Sequence, residues 1–457
     1  MSPTSPDARR LLTGWARTAP SPASVLHPTD TDELAAILDA PPPPRGLVAR
    51  GLGRSYGDPA QNAGGLVIDT TGVRGISHLD LEQGLVTAAA GTSLDDLMRW
   101  LVPLGWFVPV TPGTRQVTVG GAVASDIHGK NHHHAGSWCQ HLDALTLVTP
   151  AHGKRRITPS SDPALFWATA GGMGLTGVVL DATIRLKRIE TSRLLVDTDR
   201  TRDLDEVLAL MVEGDHRYDY SVAWIDLMAK GAAMGRSILD RGRFAHLDEL
   251  DRRSSGDPLH FESGTLATFP PLPVNLVNAA TIKAFNEVWY RKAPRRRRGA
   301  LQSITQFFHP LDLVDRWNRV YGATGLLQWQ FVVPLDAVEE LRSIIGELST
   351  SGAPSFLAVL KRMGPANPGP LSFPIEGWTL AFDVPADVHG GLATLLDRLD
   401  ERVVAAGGRL YLAKDSRMRP ELLRAMYPRL DEWRAVRCEA DPQGLLASDL
   451  GRRLHLL

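Results

Sequence analysis

Residues 113–136 read GTRQVTVGGAVASDIHGKNHHHAG, and no other stretch constrains the fold so strongly. Five glycines, two of them adjacent (Gly120, Gly121), stand among Asp126, His128, Lys130 and the run His132, His133, His134. Glycine carries no Cβ, so a glycine-dense segment that also bears polar side chains predicts main chain passing very close to something bulky. A metal site is the other reading of so many histidines. Three consecutive histidines cannot all face one ion, however, and no carboxylate completes a facial triad, so no metal is expected.

At 457 residues, with 43% hydrophobic and 22% charged, the chain has the length for two or three domains with ample buried core. A formal net charge of -1 offers no argument for a nucleic-acid partner. Cys139 and Cys438 lack metal-ligand spacing and read as free thiols. No apolar run approaches the roughly 18–20 residues that span a bilayer. The pair Arg9, Arg10 is not followed by the apolar stretch of an export signal, because Gly14, Arg17 and Pro20 interrupt it. A cytoplasmic location, or one peripheral at the plasma membrane, is expected, with the periplasmic side open by a route the sequence does not display.

In chain order, residues 1–24 read as a loosely ordered lead. Residues 31–40 form a short helix behind a Thr/Asp cap, stopped by the prolines at 41–44. A strand then runs into the glycine-rich turn ending at Asp58, and a second strand ends at Asp69. LVTAAAGTSLDDLMRWLVPLG predicts a strand, a turn and an amphipathic helix capped by Ser93, with Asp95 and Asp96 in its favoured first turn. A hairpin turns at residues 151–153. A short helix and a second glycine cluster (Gly171, Gly172, Gly174, Gly177) follow. Residues 1–188 are thus short strands and few helices, without the βαβ spacing or GxGxxG of a Rossmann nicotinamide site. Residues 189–420 alternate strands and helices as an α+β domain with a largely antiparallel sheet. Within it, residues 241–299 are rich in Pro and Asp, weakly periodic, and carry a basic run at 295–298; they are expected to be a lid or disordered. Residues 421–457 end in a short helix and are expected to pack back on the first domain.

Three glycine segments could approach a ligand. RGLGRSYGDP (residues 50–59) supplies turned N–H groups, a nest suited to a pyrophosphate. VTVGG (117–121) and GGMGLTGVV (171–179) let a flat ring or phosphate lie on the main chain. Each alone is more often only a turn. Their order and spacing together resemble the flavin-binding domain of the vanillyl-alcohol oxidase superfamily. LQWQF (327–331), YLAKDSR (411–417), FWATAGG and LSFPIEGW (371–378) extend the similarity to the branch of that superfamily that oxidises lipid-linked ribose. The resemblance runs from GWARTAP at 14–20 to the last residues and is weakest at about 240–300.

The resemblance implies a two-domain α+β flavoprotein with a PCMH-type FAD-binding domain and non-covalent FAD. The residues wrapping FAD would be Ala49, Arg50, Gly51, Leu52, Gly53, Arg54, Ser55, Tyr56, Gly57, Asp58 and Pro59. With them come Gly113, Thr118, Val119, Gly120, Gly121, His128, Gly129, Lys130, Asn131, His132 and Val179. Tyr411 and Ala413 would reach the isoalloxazine from the second domain. His128 would pack near the ring without tethering it, although many superfamily members use a histidine there as a covalent link. Lys414 would stand beside the flavin N1–C2 carbonyl, where a cation stabilises charge on reduced flavin. Tyr56, Trp224, Gln328, Gln330, Lys361 and Lys414 would line the substrate cavity, with Lys361 and Lys130 as candidates for a phosphate. By residue type alone these lysines and glutamines are ordinary solvated groups.

The implied activity is oxidation of the C2′ hydroxyl of a polyprenylphosphoryl ribose. A separate NAD(P)-dependent keto-reductase would complete an epimerisation to the arabinose donor of cell-wall arabinan. The alternative is an oxygen-using alditol or aldonolactone oxidase. The basic run at 295–298 could serve a membrane surface or only a solvated loop. Two positions depart from the branch. Ala381 stands where relatives often carry the cysteine attacked by nitroaromatic inhibitors, and Phe308 replaces a tyrosine, removing a hydroxyl from the cavity region.

Overall fold

The computed structural model describes residues 9–41, 43–252, 254–386 and 391–457. Two sheets build the N-terminal part. The smaller orders Arg10–Leu12, Ser21–Leu26, Leu66–Asp69 and Leu47–Arg50, the first pair antiparallel and the others parallel. The second is antiparallel and orders Ile76–Asp80, Leu85–Ala89, Val178–Arg185, Leu142–Thr149 and Gly153–Ile157. The helix Leu94–Leu101 starts at a capping box between Ser93 and Asp96 and buries Leu94, Leu97, Met98 and Leu101, the i, i+3, i+4, i+7 stripe of an amphipathic helix. The glycine-bearing helix Val119–Ser125 lies against Val178–Arg185 and Leu85–Ala89. A Cβ on Gly120 would sit 3.1 Å from that of Ala90, so glycine is what lets helix and strand meet here.

Beside a short parallel pair of Ala267–Thr268 with Val314–Asp315, the rest of the chain builds an eight-stranded sheet. Its order is Arg296–Ser303, Arg193–Thr201, Ser237–Phe244, Tyr220–Ile225, Ala358–Met363, Gly377–Pro385, Leu326–Pro334 and Arg409–Leu410, with every pair antiparallel. Side chains alternate between faces along a strand. One face, with Ala223, Leu360, Leu380, Trp329, Phe331 and Val333, is covered by the helices Leu204–Gly214, Val338–Ser351 and Leu392–Ala405. Each fully buried Leu, Ile or Phe here contributes about 1.5–3 kcal/mol. The opposite face carries Trp224, Val359, Lys361, Thr379, Ala381, Asp383, Gln328 and Gln330, as the register dictates.

Two expectations from sequence are corrected. The lead is not loose from residue 9 onward: Arg10–Leu12 pairs with the strand at Ser21, Trp15 N–H donates to Ser55 O at 2.7 Å, and Ala16 is buried. Residues 1–8 lie outside the described residues. The segment 241–299 contains a fourteen-residue helix, Ala279–Lys292, started by a capping box at Asn278, and its basic run enters the edge strand Arg296–Ser303. That helix escaped the periodicity reading because it buries only Ile282 and Asn286 and leaves Phe285, Val288 and Trp289 exposed.

The last residues fold over the first sheet. Leu47 N–H donates to Leu445 O (2.8 Å), and Ala447 N–H donates to Leu47 O (2.9 Å). Arg453 donates to both oxygens of Asp58 (2.8 and 3.0 Å) and to Asp415 (2.8 Å). Both cysteines are free.

Candidate active site

The turn at residues 50–59 is held from three sides. Arg50 closes it by donating to Thr13 O (2.7 Å) and Ala60 O (2.9 Å). Gly53 adopts a left-handed φ of 63°, and a Cβ on Gly57 would lie 1.9 Å from Asp415 O. Tyr56 N–H donates to Ala413 O at 3.0 Å, so the glycine turn and the turn at 411–415 touch through their backbones. Among the described residues, the N–H groups of Leu52, Gly53, Arg54 and Ser55 have no protein acceptor, a donor set that suits a diphosphate. The Val119, Gly120 and Gly121 amides are instead satisfied by Thr92 O, Ala90 O and the Thr118 hydroxyl.

Asp126 organises the central stretch. It caps the helix Val119–Ser125 at φ 38°, is fully buried, and accepts from Cys139 N–H (2.9 Å), Ser137 Oγ (2.9 Å), Asn367 Nδ2 (2.5 Å) and Ser372 Oγ (2.5 Å). Two residues on, His128 enters a wall of aromatic rings, 5.3 Å from Tyr411 and 5.6 Å from Phe373, which stack on each other at 4.7 Å. Its Nε2 lies 3.1 Å from Gln330 Nε2 and its Nδ1 lies 3.2 Å from Lys361 Nζ. Burial and then the Lys361 charge hold His128 well below its ordinary range, so the ring is neutral. Burial likewise lowers Lys361 to about 7, with Lys130 and Lys414 adding repulsion.

The three later histidines diverge. His132 accepts from Gly364 N–H and is lowered to about 3 by burial, His133 faces Tyr218 O, and His134 is exposed. Among the described residues no cluster could hold a metal.

Across the sheet face, Trp224, Val359, Ala381 and Gln330 stand in one register row. Trp224 Nε1 donates to Phe356 O (2.9 Å). Lys414 Nζ lies 4.0 Å from the centre of the Tyr56 ring, and burial lowers it while Asp383 opposes. Gln328 donates to Asp383, a fully buried carboxyl whose Oδ2 has no partner among the described residues. Sequence reasoning passed over Asp383. Its signal was an acid alternating with apolar residues in WTLAFDVP, which predicts a carboxyl on one face of a buried strand.

The other expected residues divide. Arg54 stacks on Trp15 at 3.9 Å with its Nε buried and unpartnered; Asn131 Nδ2 donates to Pro109 O; Gly129 O faces Lys361 at 3.5 Å. Gly113 borders open space, and Val179 is buried in its strand. Lys130 does not join the sheet-face group: its ammonium donates to Phe307 O and lies 4.4 Å from the Phe307 ring centre, where that carbonyl, the ring face and the Asp240 charge answer it. Phe308 is buried in an aromatic cluster, 5.4 Å from Phe107 and 4.8 Å from Tyr220.

Unpaired N–H groups, a flat aromatic wall and half-buried cations fit the diphosphate and ring of a flavin. The FAD binding domain family matches residues 22–158, and the D-arabinono-1,4-lactone oxidase family matches residues 391–454. Fold and site define an FAD-dependent oxidoreductase of the vanillyl-alcohol oxidase type. The chain is 49% identical over 457 residues, 99% of each chain, to decaprenylphosphoryl-beta-D-ribose oxidase of Mycolicibacterium smegmatis. It is 42% identical over 373 residues, 80% of this chain and 100% of the other, to an uncharacterized protein in the mprA 5′ region of Streptomyces coelicolor. With cytokinin dehydrogenase 5 of Oryza sativa subsp. japonica it shares 28% identity over 223 residues, 44% of this chain and 41% of the other. The chain belongs to the decaprenylphosphoryl-β-D-ribose oxidase family.

Removing Asp126 strands four donors in a dry site. Asp126→Ala is expected to lower the unfolding free energy by about 3–5 kcal/mol, measured by urea denaturation, with Asp126→Asn losing less.

Proposed function

We propose that this chain oxidises the C2′ hydroxyl of decaprenylphosphoryl-β-D-ribose to the ketone. This is the first half of an epimerisation that a separate NAD(P)-dependent keto-reductase completes, yielding the arabinose donor for cell-wall arabinan. The observation that carries the reading is the sheet face itself. Lys361 on the sheet face and Lys414 from the adjoining turn at 411–415, both half-buried and, among the described residues, without an ion-pair partner, stand near Gln328, Gln330 and Asp383. Cations so placed select an anion, and the amides suit sugar hydroxyls. The near full-length similarity to an oxidase named for this substrate supports the same reading.

FAD, when bound, supplies the two-electron acceptor for hydride. The chain's own residues do the rest. The N–H groups at 52–55 would hold the diphosphate, and Tyr411 with His128 would pack near the ring. Lys361 holds the substrate phosphate, Gln328 and Gln330 orient the sugar, Trp224 walls the cavity, and Lys414 supplies positive charge beside Tyr56. Lys414→Ala is expected to slow flavin bleaching by decaprenylphosphoryl ribose at least a hundredfold while the yellow colour is retained; unchanged bleaching removes Lys414 from the mechanism. In this reading FAD is held non-covalently, which the engagement of both His128 nitrogens with Lys361 and Gln330 supports. Acid precipitation is expected to release all the flavin to the supernatant.

A second reading, oxidation of a free aldonolactone or alditol with oxygen, draws on the family match over residues 391–454, which include Tyr411 and Lys414. It covers only the tail, and bleaching by a free sugar in place of the lipid-linked one would favour it.

The lipid tail requires a docking face. The helix Ala279–Lys292 exposes Phe285, Val288 and Trp289 at i, i+3 and i+4, beside exposed Lys283, Lys292, Arg296 and Arg297. Phe285 packs edge-on to Phe356, which contacts Trp317 and Tyr321 and accepts from Trp224, an aromatic path from surface to cavity. No helix among the described residues is long and apolar enough to cross a membrane. In this reading the face lies on the bilayer, apolar residues inserted and cations on anionic headgroups. Phe285→Ser with Trp289→Ser is expected to weaken co-sedimentation with phosphatidylglycerol vesicles about tenfold.

A further inference from the structure

The carboxyl of Asp383 has no part in that reading, yet it is built into the centre of the site. It stands directly opposite Gln328 in the sheet register, on the face that carries Ala381 and Gln330. Gln328 Nε2 donates to Oδ1, which fixes the carboxyl plane, while Oδ2 is buried and, among the described residues, has no hydrogen-bond partner. The charged and titratable groups facing it are Lys414 from the turn at 411–415, Tyr56 from the glycine turn and Tyr321 from Trp317–Tyr321. A buried carboxylate oxygen with nothing to accept from is costly, and a substrate hydroxyl is the donor this position lacks.

Other candidate bases are engaged or have the wrong charge state. Both nitrogens of His128 lie at hydrogen-bond distance from Lys361 and Gln330. Burial keeps the Tyr56 and Tyr321 hydroxyls protonated by raising both well above the usual tyrosine range. Lys361 is held by His128 Nδ1 at 3.2 Å and Gly129 O at 3.5 Å.

We propose that Asp383 is the proton acceptor of the alcohol oxidation, taking the hydroxyl proton on Oδ2 while Gln328 holds Oδ1. The proposal rests on the reading that this face oxidises a sugar hydroxyl. The O–H bond breaks and its electron pair becomes the second bond of the ketone. The hydrogen on the same carbon leaves with both C–H electrons to FAD as the oxidant. The proton rests on Asp383 until water removes it.

Burial holds Asp383 above the ordinary carboxylate range, opposed by the Gln328 hydrogen bond and by Lys414. Below its pKa the carboxyl is protonated and cannot accept, so the rate rises with pH through a value well above about 4. Lys361 and Lys414 lose charge as pH rises and give the falling limb.

The test uses the FAD-loaded enzyme and Asp383→Asn, which keeps the shape and the contact with Gln328. Rapid mixing with decaprenylphosphoryl ribose is expected to show bleaching about 10²–10⁴-fold slower, without the rising limb, at unchanged flavin absorbance and melting temperature. Asp383→Glu is expected to restore part of the rate and the limb. Independently of turnover, infrared titration is expected to show a protonated carboxyl band that disappears with pH well above 4, is missing in Asp383→Asn and shifts in Asp383→Glu. Asp400, held up to about 7 by burial, provides a band retained in every variant. Bleaching by Asp383→Asn within about threefold of wild type with the same limb, or an Asp383 band titrating near 4, overturns the proposal. Wild-type flavin that the lipid-linked ribose does not bleach overturns the substrate reading instead, and the infrared titration then decides Asp383 by itself.

Discussion

The contact between Gly57 and the carbonyl of Asp415 is the constraint on which the site depends. No side chain fits there: the missing Cβ would overlap Asp415 O at 1.9 Å. That closeness lets Tyr56 N–H reach Ala413 O and sets Lys414 against the Tyr56 ring. Arg453 then clamps both turns by bonding Asp58 and Asp415 at once. Hydrogen bonds between charged partners contribute about 1.5–3 kcal/mol each, enough to hold two turns that share little apolar surface.

Charge is the second theme. Lys130, Lys361 and Lys414 are all half-buried, and loss of water is the largest influence lowering each. Lys130 is compensated by a carbonyl and an aromatic face, and Asp126, which accepts four hydrogen bonds, serves the backbone around His128. Lys361 and Lys414 remain on the sheet face with Asp383. A site of this kind favours an anionic ligand with hydroxyl groups: the anion answers the lysines, and a hydroxyl answers the lone carboxylate oxygen.

Local features were readable from the sequence. The Ser93 cap, the hairpin at 151–153 and the helices at 204–214 and 338–351 depend on neighbours within a few residues, and pattern displays them. Failures fell where the deciding partner is remote. Arg10–Leu12 is a three-residue strand with no pattern of its own, ordered by pairing and by contact with the turn at 55–57. The helix Ala279–Lys292 lacks a buried stripe because its apolar face looks outward. Most site residues were named only by resemblance, since Lys361, Gln328 and Gln330 look like surface groups until the sheet turns them inward.

By itself the sequence displayed glycine-rich turns where main chain must pass close to its neighbours, a histidine-bearing segment among them, and an antiparallel α+β half after them. Glycine sterics and the periods of strand and helix are properties of the chain alone. Only the tertiary structure decided which polar groups meet. It turned Lys130 to a carbonyl, dispersed the three consecutive histidines, and set Asp383 opposite Gln328 near Lys414. Strand register and domain contact select those partners over separations of tens to hundreds of residues, and no local rule encodes them.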